Sequence, residues 1–236
     1  MDKTRFVIIG GAHSGSTLLK NLLKTHPNII SYGELLNPSK IRWDYSQFNK
    51  ELNSFAIHQF RKRETVDFMN LAYNPTLSSD VHCIGFESRY SHYEDPDGFP
   101  QALQFLLNDS SIKLIHIKQE IPFNACRSCH SSPMKSGGGM PAPEPCIKSI
   151  RDLLEQQEKF DRLFAGRESI DITYENLMSN TVLTTKRVLD FLDVRYTPFR
   201  LDTHQKEVEN IGRVFTDHGE MGHLFSPSGL GFFAEN

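Results

Sequence analysis

The sequence predicts a single α/β domain in which a central parallel sheet is flanked by helices. Its 236 residues suit one domain of this class and are few for two. Short β-branched apolar segments alternate with helical patterns along most of the chain. The first thirty or so residues also form a strand, glycine loop, helix and strand, and such a βαβ unit requires parallel strands. We therefore treat 1–236 as one domain.

The opening βαβ unit is the most strongly patterned part of the chain. Arg5–Ile9 is short and apolar, as expected of a strand that is covered on both faces. A glycine loop follows, and Thr17 opens a helical pattern of leucines that His26 and Pro27 end. Ile29 and Ile30 then predict a second strand that ends in Ser31–Glu34.

The remaining elements continue this alternation. We predict strands at 83–86, 112–117 and 169–173, and helices at 100–107, 123–131, 147–164 and 184–192. Between 35 and 73, aromatic residues lie among charges, which predicts amphipathic helices bordering a cleft. The glycine- and proline-rich stretch at 133–146 predicts a mobile loop. It is not a domain boundary, because the βα alternation resumes after it.

Composition excludes several function classes. The 26 basic and 29 acidic residues give a net charge of −3, which argues against binding nucleic acid by bulk electrostatics. No apolar run reaches the 18–20 or so residues of a membrane span. The N-terminus lacks the pattern of a secretory signal, and four cysteines do not make a disulfide framework, so we expect a cytoplasmic protein. A homodimer stays open.

The loop after the first strand has the layout of an anion site. Backbone N–H groups of a glycine-rich loop that leads into a helix can bind phosphate. Gly10 and Gly15 match the Walker pattern, but Ser16 occupies the position of its lysine. A nucleotide kinase or NTPase with a degenerate loop is one interpretation, although it would lack the cation that reaches the β- and γ-phosphates. A glycine-rich turn without a ligand is another.

Several segments resemble sulfotransferases that use 3′-phosphoadenosine 5′-phosphosulfate (PAPS). Gly11–Leu19 followed by His26-Pro27 is similar to the family's phosphosulfate loop, P-R-S-G-[ST]-T-L-L with a later H-P. Tyr32–Asn37 looks like the bacterial carbohydrate enzymes of the nodulation-factor and trehalose type. Ile172–Leu177 and Val188–Leu192 are similar to later family segments, and Gly231–Phe233 faintly resembles the nodulation enzymes' ending. The resemblance is specific over the first forty residues.

This resemblance implies a P-loop-like sulfotransferase fold and a set of site residues. The donor PAPS would leave as adenosine 3′,5′-bisphosphate, and the chemistry requires no metal. Glu34 matches the general base of the trehalose enzyme, with a solvated helix cap as its alternative. Lys118 and Ser128 would bind the 3′-phosphate and Tyr174 the adenine, although a surface lysine and a packing tyrosine are the plainer interpretations. The phosphosulfate would lie on Ala12, His13, Ser14, Gly15, Ser16, Thr17 and Leu18.

Two positions depart from the family. His13 stands where the family has Arg or Lys against the transferring group, and an ordinary histidine is fully charged only below about pH 6.5. Lys118 replaces an arginine and cannot form a bidentate fork. In the family this residue is paired with a serine that also binds the 3′-phosphate. The spacing after Lys118 favours Ser128 over Arg127 for that position. These departures leave a non-catalytic nucleotide- or anion-binding protein open.

The run Cys126–His130 matches the C-x-x-C-H pattern of haem c attachment. Haem attachment would require export, for which the sequence shows no signal. A zinc site that joins this pair to Cys146 or Cys83 is a second interpretation, and chance spacing on a helix is the third.

Overall fold

A computed structural model describes residues 3–43, 55–74, 80–94, 98–120 and 143–197 of the chain. Its strands are β1 (Thr4–Gly10), β2 (Ile29–Glu34), β3 (Cys83–Arg89), β4 (Ile112–Lys118) and β5 (Ser169–Thr173). The helices in these ranges are α1 (Ser16–Lys24), α2 (Phe55–Arg63), α3 (Thr65–Tyr73), α4 (Ser91–Glu94), α5 (Pro100–Asn108), α6 (Pro143–Phe164), α7 (Tyr174–Ser179) and α8 (Thr181–Phe191).

The strands form one parallel sheet in the order β2-β3-β1-β4-β5, which confirms the predicted architecture. β1 is the central strand, and its last residue, Gly10, lies opposite Arg89 of β3 and Ile117 of β4. In open parallel sheets, ligands bind at the carboxyl ends of the strands. The loop that follows β1 therefore lies in the middle of the edge where a ligand is expected.

Helices cover both faces of the sheet, so Phe6–Gly10 of β1 are buried. Val7 and Ile9 pack with residues of α3, α5 and α6, whereas Phe6 and Ile8 pack with α1 and α8. Trp43 and Phe68, two of the aromatic residues that predicted a cleft, lie in the first of these cores with their ring centroids 5.4 Å apart. Their role is therefore to pack the layer of helices that supports the sheet.

Most predicted boundaries differ from the observed ones by a few residues. Glu34 belongs to β2 itself, and α1 begins at Ser16. Helix α6 begins at Pro143, so the last four residues of the predicted 133–146 loop are helical. Residues 133–142 and the predicted helix at 123–131 lie outside the described ranges. None of the helices that the structure describes is long and apolar enough to cross a membrane.

Candidate active site

The loop between β1 and α1 turns sharply at two residues with positive φ. His13 has φ 61° and Gly15 has φ 84°. Gly15 is the N-cap residue of α1, and no side chain caps this end of the helix. The first N–H groups of a helix have no intrahelical partners, and the helix dipole makes them attractive to an anion. The start of α1 thus has the geometry that an anion-binding loop needs.

Neighbouring strands fix this loop through its carbonyl oxygens. The side-chain amide of Gln119, just after β4, donates to the His13 carbonyl at 2.7 Å. The backbone N–H of Tyr90, just after β3, donates to the Gly10 carbonyl at 3.2 Å. Gln157 of α6 in turn accepts a 2.9 Å hydrogen bond from the Gln119 backbone. The loop conformation is therefore held from both sides of β1.

The predicted loop ligands differ in exposure. Ala12, His13 and Thr17 are exposed, whereas Ser14, Ser16 and Leu18 are buried. The Ser14 hydroxyl is unusual, because it is buried without a hydrogen-bond partner inside the loop. Buried polar groups are nearly always satisfied, so an orphaned hydroxyl at this place fits an absent polar ligand. The Ser14 hydroxyl is therefore a candidate donor to an anion at this loop, and the binding of a phosphosulfate group stays a prediction.

The other two loop hydroxyls contact a carboxylate that sequence reasoning missed. Ser16 Oγ and Thr17 Oγ1 each donate to Oε1 of Glu87, a residue of β3, at 2.7 Å. Glu87 is only 2% exposed. Burial raises its pKa, and the two hydrogen bonds oppose that shift only in part. The structure thus places an acidic side chain directly against the proposed anion site.

Glu34 lies at the end of β2, buried and surrounded by donors. Its side chain is 3% exposed, and its Oε1 is 2.5 Å from a guanidinium nitrogen of Arg89. Its Oε2 accepts a 2.6 Å hydrogen bond from Asn37 and lies 3.7 Å from Arg42. The alternative of a solvated helix cap is wrong, since the residue is buried and within a strand.

The chain that follows Glu34 is anchored by a buried arginine. Arg61 of α2 is fully buried and donates to the carbonyl oxygens of Leu35 and Asn37 at 2.6 and 2.8 Å. Its guanidinium also lies over the ring of Phe99, 4.7 Å from the centroid. Burial lowers the pKa of Arg61 to about 10. Arg61 therefore positions the segment that carries Asn37, which contacts Glu34.

Lys118 is paired with two carboxylates on the α6 side of β4. Its Nζ lies 2.5 Å from Asp161 and 2.8 Å from Asp171. Burial alone would lower the pKa of Lys118, but these two partners outweigh it and raise the pKa. The buried His116 also contacts Asp161, at 3.1 Å, and burial lowers its pKa to about 4. Lys118 supplies the cation of this acidic cluster, and its contact with a 3′-phosphate stays a prediction.

Tyr174, the first residue of α7, packs against the loop. A Cβ atom built on Gly15 would lie 2.6 Å from the tyrosine ring, so the ring and this glycine are in close contact. The residue is 7% exposed, as expected of a packing residue, and its contact with adenine stays a prediction. Ser128, Arg127 and Cys126–His130 lie outside the described residues. Cys83 is buried in the core that contains α1 and α8.

Comparison with known proteins identifies the fold. No family model and no curated protein matches the sequence. The solved sulfotransferase domain from the curacin biosynthetic pathway is 18% identical, with 83% of this chain and 76% of that one covered, at a TM-score of 0.55. The fold is that of the sulfotransferases. A sulfotransferase from Alicyclobacillus acidocaldarius gives 14% identity, coverages of 96% and 93%, and a TM-score of 0.54. The predicted sulfotransferase fold is thus confirmed.

Three site residues escaped sequence reasoning: Glu87, Arg89 and Gln119. Each lies at or just after the carboxyl end of a strand that neighbours β1. Polar residues at the end of an apolar strand are the signal that could have identified them, because these ends converge on one edge. That signal needs the strand order, which the sequence pattern does not supply.

Proposed function

We propose that this protein transfers a sulfuryl group from PAPS to a hydroxyl of a carbohydrate, glycolipid or other small acceptor. The observation that carries the proposal is the link between the loop and Glu34. Arg89 lies opposite Gly10, the last residue of β1 before the loop, and its guanidinium contacts the Glu34 carboxylate. A carboxylate and the candidate anion-binding loop are therefore joined across the same edge of the sheet.

The loop residues would hold the phosphosulfate end of the donor. The N–H groups at the start of α1 and the unpartnered Ser14 hydroxyl are the donors that the geometry favours. PAPS supplies an activated sulfur that accepts a nucleophile and releases adenosine 3′,5′-bisphosphate. The 3′-phosphate is assigned to Lys118 and Ser128, and the adenine to Tyr174, from the resemblance alone. Lys118 would then share its ammonium between this phosphate and the carboxylates it contacts.

Glu34 would act as the general base. In this role it accepts the proton of the acceptor hydroxyl while that oxygen attacks sulfur in line. Arg89 and Asn37 would keep the carboxylate oriented, since they contact different oxygens of it. The exposed His13 would donate hydrogen bonds to the group in transfer. A cytoplasmic location and a homodimer stay predictions from the sequence.

Glu34→Gln tests the proposal. We expect transfer of labelled sulfate from PAPS to a panel of sugars and alcohols to fall about 10²- to 10⁴-fold, the usual contribution of a general base. The affinity for adenosine 3′,5′-bisphosphate should change less than about twofold, because a general base would contact the acceptor and not this product. Glu158→Gln, which changes an exposed glutamate of α6, is the matched control. Unchanged transfer in Glu34→Gln would refute the base, and absence of nucleotide binding by the unmodified protein would refute the donor.

A further inference from the structure

Glu87 binds the two hydroxyl groups that begin helix α1. Ser16 and Thr17 both donate to the same oxygen, Oε1, at 2.7 Å. A hydroxyl group has one proton to donate. With both protons directed at Glu87, neither hydroxyl can donate to an anion bound at the loop.

The charges around Glu87 come from two neighbouring elements. Glu34 is its register partner on β2, and the positive charge of Lys20 on α1 favours the ionised form of Glu87. The register partner on β1 is Ile8, which is apolar and fully buried. Arg89, on the same strand, contacts Glu34. Burial therefore disfavours an ionised Glu87, Glu34 adds to this effect, and Lys20 opposes it.

An anion at the start of α1 would add a further negative charge beside Glu87. An ionised carboxylate would then repel the ligand and also hold the two hydroxyl protons that the ligand needs. A protonated carboxyl removes both conflicts, because it carries no charge and has an O–H of its own to donate. Its proton can be donated to a hydroxyl oxygen, so that Ser16 and Thr17 can direct theirs at the anion.

We propose that Glu87 is a positioning residue of the loop and takes up one proton from solvent when a phosphate- or sulfate-bearing nucleotide binds. The proposal rests on the proposed function, since it concerns the same loop. It gives Ser16 and Thr17 two arrangements: donors to Glu87 without ligand, and donors to the ligand once Glu87 is neutral. Glu87 itself contacts no reacting atom and acts through these two side chains.

Calorimetric titration with adenosine 3′,5′-bisphosphate at pH 5–9 tests this proton uptake. Two buffers with different ionisation enthalpies are used at each pH, because the difference in heat between them gives the number of protons taken up. The matched variant is Glu87→Gln, which resembles the neutral carboxyl in shape and can also donate. We expect the unmodified protein to take up as much as one proton more than the variant. The affinity of the unmodified protein, divided by that of the variant, should fall with rising pH. The fall should approach tenfold per pH unit in the range where Glu87 is ionised in the ligand-free protein.

Two other groups titrate in this range. The ligand's phosphates have a pKa near 6, and histidine side chains as a class also titrate in this range. The same ligand and the same histidines are present in both titrations, so their contributions cancel when the unmodified protein is compared with the variant. Glu34 and Lys20 are likewise unchanged. Infrared difference spectroscopy of the unmodified protein, with and without the bisphosphate, provides a measurement that does not depend on Glu87→Gln folding, because a protonated carboxyl absorbs at a different frequency from a carboxylate. A protonated-carboxyl band must appear when the ligand binds, and its absence would overturn the proton uptake.

The outcomes separate this inference from the proposed function. Bisphosphate binding with equal proton uptake and a pH-independent affinity ratio would overturn the role of Glu87 and leave the donor assignment intact. Inorganic pyrophosphate serves as a second probe, because it lacks the nucleoside. Binding of pyrophosphate alone, with the extra proton, would support Glu87 and refute the nucleotide donor. Failure of both probes to bind at millimolar concentration would refute both proposals.

Discussion

Replacing Gly15 by alanine should damage the loop more than its backbone conformation alone requires. Gly15 has φ 84°, and an added Cβ would lie 2.6 Å from Cδ2 of the Tyr174 ring. Gly166 provides a matched control, since it has φ 79° and nothing within 4 Å of an added Cβ. The two substitutions share the cost of a left-handed alanine, and only Gly15→Ala meets a side chain.

The expected magnitudes follow from these two contributions. A left-handed non-glycine residue costs roughly 1–2 kcal/mol, which sets the loss in the free energy of unfolding for Gly166→Ala. Overpacking against a buried ring adds about 1–3 kcal/mol, so Gly15→Ala should lose about 2–5 kcal/mol. Tyr174→Ala should relieve part of this loss, giving a coupling of about 1 kcal/mol or more in the double mutant.

Urea unfolding of the four variants measures these differences, and titration with adenosine 3′,5′-bisphosphate measures their effect on the loop. We expect Gly15→Ala to weaken binding at least about tenfold, because the ring must move or the N-terminus of α1 must shift. Gly166→Ala should bind normally. Equal destabilisation by the two alanines, or a strictly additive double mutant, would refute the claim that Tyr174 packs on the loop.

Two further predictions concern stability. Arg61→Met should lower the free energy of unfolding by about 3 kcal/mol, because it leaves buried carbonyl oxygens without donors. Arg63→Met, at an exposed position of the same helix, should change it by less than about 0.5 kcal/mol. Equal losses in urea unfolding would contradict the anchoring role of Arg61. Burial lowers the pKa of His116, and also that of His92, a buried residue of α4, to about 4. Both values lie below those of the unfolded chain, which therefore binds more protons, so stability should fall as pH falls from about 6.5 to 4. His116→Asn should make this dependence shallower, and an unchanged slope would contradict the burial effect.

The fold and the position of the loop could be predicted from the sequence because their signals are local. The apolar run before Gly10 and the leucines after Thr17 define a strand–loop–helix unit without any knowledge of the rest of the chain. The position of Glu34 could be predicted because it ends the second strand. The structure agrees with this placement, since the residue is buried at the edge where the loop lies.

The surroundings of these residues could not be predicted, because they depend on which strands are neighbours. The sequence order suggests that β1 and β2 are adjacent, whereas β3 lies between them and brings Glu87 and Arg89 to the site. For Lys118, the strand end was predicted, but its partner Asp161 comes from α6, 43 residues along the chain. Long-range contacts of this kind leave no pattern in a single sequence.

A crystal structure of the protein with adenosine 3′,5′-bisphosphate tests the central claim most directly. We expect the 5′-phosphate to accept hydrogen bonds from the backbone at the start of α1, with the Glu34 carboxylate facing it across a space that fits an acceptor hydroxyl. A nucleotide bound elsewhere on the protein, or a Glu34 side chain directed away from that space, would contradict the account.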